Sequence, residues 1–168
     1  MINQKLIEVL KKSFTLDWLG THGIRHWLRV WENGRFLAEK TGANIRVVEL
    51  FAFFHDCKRE NEYSDPEHGF RGAQLLSNLR DKLSDLGTDE FEKLNIACIE
   101  HTRSISNPDI TIQTCFDADR LDLGRVGKKP DPKFLNTPVA KEHSVIQWAY
   151  KRSIMDTVPN NIPTEWYS

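Results

Sequence analysis

Ile2, Leu6, Val9 and Leu10 recur at the spacing of one helical face, with lysines on the other, so the chain opens on an amphipathic helix ending near Ser13-Phe14. Thr21 is a candidate N-cap for a second helix, which runs to about Lys40 and stops at Gly42. The third, about Ile45 to Cys57, differs in kind. Val47, Val48, Leu50, Phe51, Phe53 and Phe54 leave it almost no polar face, which places it at the centre of a bundle. Ser64-Asp65-Pro66-Glu67 has the cap-then-proline order that opens a fourth helix, reaching about Arg80. After a polar connection from Asp81 to Gly87, Thr88-Asp89-Glu90 starts a fifth, with Phe91, Leu94, Ala97, Cys98 and His101 on one face and an end near Thr102-Arg103.

Ile110 to Leu123 fits a short strand as well as a helix on spacing alone, and the five helices before it favour helix. Gly124 to Pro138, with its Gly and Pro spacing, reads as a long loop laid over the bundle. Helical spacing returns from Val139 to about Asp156, and Pro159 to Ser168 reads as an extended end packed on the surface. The expected fold is all-α: one helical-bundle domain over residues 1–168, with its chemistry between about 21 and 123.

Composition narrows the function. With 23 Lys plus Arg against 24 Asp plus Glu, a net charge of -1 argues against general nucleic-acid binding while leaving room for a local basic pocket. The three cysteines, Cys57, Cys98 and Cys115, are widely spaced and form no Cys-x-x-Cys pair, which suits a reduced, cytoplasmic setting. No apolar run approaches the roughly 20 residues that span a bilayer, so no membrane partner is expected. The pattern is silent on oligomeric state.

The chemistry starts where the apolar third helix ends, in Phe53-Phe54-His55-Asp56. Two adjacent ionisable groups at the end of such a helix need partners, and a divalent ion satisfies both. The other candidate ligands are His26, His68, His101 and Asp119. Two imidazoles and two carboxylates from different helices hold one ion, and the remaining imidazoles suit a second. His22 and Asp117 stand close enough in sequence to replace His26 and Asp119.

His26, His55-Asp56 and Asp119, within Asp117-Ala118-Asp119-Arg120-Leu121-Asp122, resemble the H…HD…D signature of the HD-domain superfamily of metal-dependent phosphohydrolases, over roughly Thr21 to Leu123. The resemblance implies that His26, His55, Asp56 and Asp119 bind one divalent ion, that Asp56 bridges to a second, and that His68 and His101 hold that second ion. Manganese, iron, cobalt, nickel, magnesium and zinc are not distinguished. Glu100, beside His101, stands where some relatives have a further ligand. The chain lacks the HHExxDGxGYP-like segment of the cyclic-diguanylate phosphodiesterases, and Gly124-Arg125-Val126-Gly127 and Phe134-Leu135-Asn136-Thr137-Pro138 resemble a small, poorly assigned branch of HD proteins.

A bound ion lowers the pKa of its water toward roughly 7, so hydroxide is available at neutral pH to attack phosphorus. Asp56 and Arg59 are the expected catalytic residues, with Arg59 offsetting the developing charge. His22, Arg29, Arg103, Arg120 and Lys128 are the expected substrate contacts. The leading expectation is a phosphohydrolase for a small phosphorylated metabolite, foremost a nucleotide. A nucleotide phosphodiesterase, a non-catalytic metal- or nucleotide-binding sensor and a di-iron oxygenase are the alternatives.

Overall fold

The computed structural model describes residues 2–167, and these form seven α-helices and no strand. The helices are α1 (Gln4–Ser13), α2 (Ile24–Thr41), α3 (Ile45–Phe54), α4 (His68–Asn78), α5 (Thr88–Glu100), α6 (Ile110–Arg120) and α7 (His143–Ile154). α3 is the hub: it packs on α2, α4, α5 and α6, and seven of its ten residues are buried. That follows from its sequence, since a helix apolar nearly all round loses free energy wherever it faces water. No helix among the described residues is long and apolar enough to cross a membrane.

The segment with two readings, 110–123, is helical. Ile112, Cys115 and Phe116 are its buried apolar positions, and that i, i+3, i+4 spacing turns one helical stripe into the core, where a strand would send neighbouring side chains to opposite faces. Asp109 caps it by accepting from the Thr111 and Ile112 N–H groups at 2.8 and 3.2 Å.

Several boundaries differ from expectation for local reasons. α2 is capped at Gly23 instead of Thr21, because the Ile24 N–H donates to the Trp18 carbonyl at 2.9 Å. α3 ends at Phe54, with His55 as C-cap and Asp56 and Cys57 in the turn beyond. α4 starts at His68, after the cap-like Asp65-Pro66, because the Asp65 carboxylate is already used, accepting from the Glu60 N–H at 2.7 Å and Arg71 Nη2 at 2.6 Å. α7 starts at His143, four residues after Val139.

The 124–138 segment is more ordered than a plain loop, with 3-10 turns at Leu123–Val126 and Pro132–Phe134. Buried Asp117 ties it down, accepting from the backbone N–H groups of Asn136 and Thr137, both at 2.7 Å, and from both their side chains. The tail is likewise anchored: it turns at Thr164–Trp166, and Trp18 Nε1 donates to the Trp166 carbonyl at 3.0 Å.

Two glycines set how closely α4 approaches its neighbours. A Cβ on Gly69 would lie 2.1 Å from the Cys98 carbonyl oxygen of α5, and one on Gly72 would lie 2.4 Å from the Phe54 carbonyl oxygen of α3. Backbone oxygens cannot step aside as a side-chain tip can. Gly69→Ala is expected to cost at least about 1–3 kcal/mol in urea unfolding; an unchanged midpoint would show that α4 does not sit this close to α5.

Candidate metal centre

One end of the bundle gathers six side chains from five helices or their ends. His26 comes from α2, His55 and Asp56 from the end of α3, His68 from the start of α4, His101 from the C-cap of α5 and Asp119 from α6. The four imidazoles and Asp56 are buried, and Asp119 is mostly so.

They divide into two clusters that share Asp56. On one side, His26 Nε2 lies 3.0 Å from His55 Nε2, 3.5 Å from Asp56 Oδ2 and 3.4 Å from Asp119 Oδ1. On the other, His68 Nε2 lies 2.9 Å from both His101 Nε2 and Asp56 Oδ1. Each oxygen of one carboxylate therefore faces a different pair of imidazoles.

The hydrogen-bond partners of the rings' far nitrogens decide what these contacts mean. His26 Nδ1 meets Asp122 Oδ2 at 2.8 Å, His55 Nδ1 meets the Phe51 and Ala52 carbonyls at 3.1 Å, His101 Nδ1 meets the Cys98 carbonyl at 2.8 Å, and His68 Nδ1 meets the Asp65 carbonyl. Those oxygens only accept, so every Nδ1 carries the proton and donates it. In the neutral ring, Nε2 is then a bare lone pair. Two pairs of lone pairs face each other at 3.0 and 2.9 Å, with carboxylate oxygens alongside. Asp119 Oδ1 is itself buried with no hydrogen-bond partner. A cation in each cluster removes both repulsions and supplies the missing partner, and imidazole with carboxylate is a suitable donor set for a divalent metal. The residues fit the ions.

Electrostatics differ between the two clusters. Burial pushes His55 down to about 3, so it is neutral at ordinary pH. Burial would raise Asp56 and Asp119, but the charge of the imidazoles once protonated in acid, His55 foremost, and for Asp119 the Arg125 guanidinium outweigh it, so both carboxyls are lowered and stay ionised at ordinary pH. For His68, burial opposes the proton and the Asp56 carboxylate more than compensates, so it is raised: without a cation its Nε2 holds a proton toward Asp56 Oδ1, 2.9 Å away, and a bound cation takes that proton's place.

A cavity of about 860 Å³ opens over the clusters. Asp56, His68, His101 and Asp119 line its floor, and His22, Arg59, Glu62, Arg125 and Lys128 its walls. Tyr63 stands at the rim, 95% exposed. Arg59 Nη1 is 3.6 Å from Asp56 Oδ1, and Arg125 Nη2 is 3.6 Å from Asp119 Oδ1. His22 is paired through Nδ1 with Glu62 and lowered by burial.

Three arginines expected at the substrate lie elsewhere. Arg29 is buried behind the centre, giving Nε to Asp122 at 2.7 Å and Nη1 to Asp156 at 2.6 Å. Arg120 spends its guanidinium on the carbonyls of Ile105, Ser104 and Phe134, at 2.7, 2.5 and 2.8 Å, and so pins loops together. Arg103 turns outward to Glu67. Glu100 accepts from Ser104 and Asn107 and takes no part in either cluster. Of the near alternatives, Asp117 holds the 136–137 backbone and His22 lines the cavity wall. Sequence reasoning did not single out Asp122, Glu62 or Arg125. Asp122 had a signal, closing the acidic run three residues beyond Asp119, whereas Glu62 and Arg125 sit in a loop and a short 3-10 turn without periodicity.

The family model of the HD domain matches residues 23–124, more than half of the chain. The chain belongs to the HD-domain family. This is a family of metal-dependent hydrolases, and the HD domain here carries its His and Asp residues in clusters able to take divalent ions. Among solved structures, it resembles that of a predicted HD superfamily hydrolase from an uncultured Thermotogales bacterium, with a TM-score of 0.67 at 23% identity over 90% of this chain and 87% of the other. That likeness establishes the shared helical fold. No curated protein sequence matches the chain.

The metal-free HD domain is expected to lose stability in acid by a defined route. His55 and His22, lowered by burial, contribute stability fully present above their unfolded pKa of 6.5 and lost as pH falls below it, for His55 toward about 3. His68 is raised, so its contribution is complete below 6.5 and does not offset the loss, while the stability from Asp56 and Asp119, both lowered, is present above 3.8 and starts to be lost only below it. The urea midpoint of chelator-treated protein should fall steadily from pH 6.5 to 4; a flat profile would contradict the neutral, buried state of these rings.

Proposed function

We propose that this protein is a metal-dependent phosphohydrolase acting on a small phosphorylated metabolite, with a nucleotide as the foremost substrate class. The observation that carries this reading is the pair of donor clusters back to back on Asp56, at the floor of a cavity with cationic walls. When bound, divalent ions acidify water and polarise a phosphoryl oxygen. The imidazole-rich donor set favours manganese, iron, cobalt, nickel or zinc over magnesium.

The chain's own residues do the rest. Asp56 fixes the separation of the two clusters, since its two oxygens belong to one rigid carboxylate. Arg59 and Arg125 approach the floor from opposite clusters, and with Lys128 they offset the charge of a phosphoryl group as it builds up in the transition state. Tyr63 and Val126 give the opening an apolar edge suited to a flat base. The cavity is near the upper end of the range for small-molecule sites, which supports a nucleotide phosphodiesterase as the second reading. The cysteines Cys57, Cys98 and Cys115 are all buried free thiols, which supports a reduced, cytoplasmic setting.

The test is phosphate release by the metal-reconstituted protein from a panel of nucleoside monophosphates, triphosphates and phosphodiesters. Turnover of at least one class is expected, with kcat/KM lowered about 10²–10³-fold in Arg59→Ala and further in Asp56→Asn. Turnover that ignores Asp56→Asn, or none with any of the divalent ions, would refute the assignment.

A further inference from the structure

Three of the four cluster imidazoles rest their Nδ1–H on backbone carbonyls. His26 is the exception. Its Nδ1–H donates to the Asp122 carboxylate, which is fully buried and belongs to neither donor cluster. A buried carboxylate is costly unless paired, and this one is paired twice, since Arg29 Nε donates to its other oxygen at 2.7 Å. Arg29 is buried too and reaches on to Asp156 at 2.6 Å, and Asp156 also takes Arg25 Nη1 at 2.5 Å. Asp156 follows the end of α7 in a left-handed backbone conformation, φ 49°, and is half-exposed. Ser153 of α7 donates its hydroxyl to the Asp122 carbonyl at 2.8 Å, fixing the same residue from its backbone side. The chain His26, Asp122, Arg29, Asp156 thus runs from one cluster to the surface and ends on a segment beyond the 23–124 HD match.

We propose that Asp122, clamped by Arg29, is the positioning residue of His26 and strengthens ion binding at the His26, His55 and Asp119 cluster, the tighter-binding half of a two-ion centre. An ionised carboxylate behind a ligand imidazole fixes the ring's tautomer and raises the basicity of Nε2, whereas a neutral carbonyl does so more weakly. The first half also holds the Asp119 carboxylate, which the second lacks, and Asp122 adds to that difference by acting through His26. α7 is then part of the metal centre's support. The inference rests on the metal reading of the site and on no particular substrate.

The experiment is equilibrium dialysis of the full, chelator-stripped chain against buffered Co²⁺, counting bound cobalt per protein, with helical circular dichroism as the folding check. The unmodified protein should fill in two steps. In Asp122→Asn the tighter step should weaken about 10–100-fold while the other stays within about twofold. A variant in which both steps shift together, or neither does, overturns the proposal. If Asp122→Asn does not fold, Asp156→Asn at the exposed end carries the test: the same step should weaken several-fold and the other hold, and equal or absent shifts overturn it. No cobalt uptake by the unmodified protein would overturn the metal reading beneath it and this proposal together, whereas uptake without any hydrolysis would fault the substrate reading alone.

Discussion

The site depends on one electrostatic conflict: imidazole lone pairs pressed against each other at 3.0 and 2.9 Å, with the Asp56 carboxylate between the two pairs. In the first cluster no proton relieves it, because the His26 and His55 protons are held on the far nitrogens by oxygens that only accept; in the second, His68 takes up a proton toward Asp56 when no cation is there. Helix ends supply most of those oxygens. His55 and His101, as C-caps of α3 and α5, turn back onto carbonyls of the last turn. The same backbone feature that ends each helix thereby aims a lone pair at the centre.

Bringing five helix segments to one point requires a core that tolerates close approach. α3 achieves this by being apolar nearly all round, and α4 by presenting Gly69 and Gly72 where carbonyl oxygens of α5 and α3 leave no room for a side chain. The packing that buries Phe51, Phe53 and Phe54 also carries His55 and Asp56 to the rim of the core. Stability and chemistry are coupled here: the cluster side chains are largely buried, where uncompensated charge is costly and a bound cation is held well.

Much of this was legible in the sequence. The apolar run of α3 and its terminal His55-Asp56 pointed to both the hub and the centre, and the resemblance of His26, His55-Asp56 and Asp119 to the HD signature singled out the first set of candidate ligands. What periodicity does not carry was lost. Arg29, Arg103 and Arg120 looked like substrate contacts because each neighbours a ligand or ends a helix, yet Arg29 faces a buried acid, Arg120 a set of loop carbonyls and Arg103 a surface glutamate. A guanidinium's direction is decided by partners far away in sequence. Arg125 and Glu62 sit in irregular segments, where position follows from anchors such as Asp117 on Asn136 and Thr137 and Asp65 on Arg71. Asp122 was hidden in an acidic run whose three carboxylates turn out to hold a loop, face the first cluster and support His26.

Asp56 as the shared member of two ion sites is the central claim. Anomalous diffraction from crystals of the metal-loaded protein tests it most directly. Two peaks are predicted, one on each side of the Asp56 carboxylate, the first among His26, His55 and Asp119 and the second against His68 and His101. A single peak, or a second one away from His68 and His101, would contradict it.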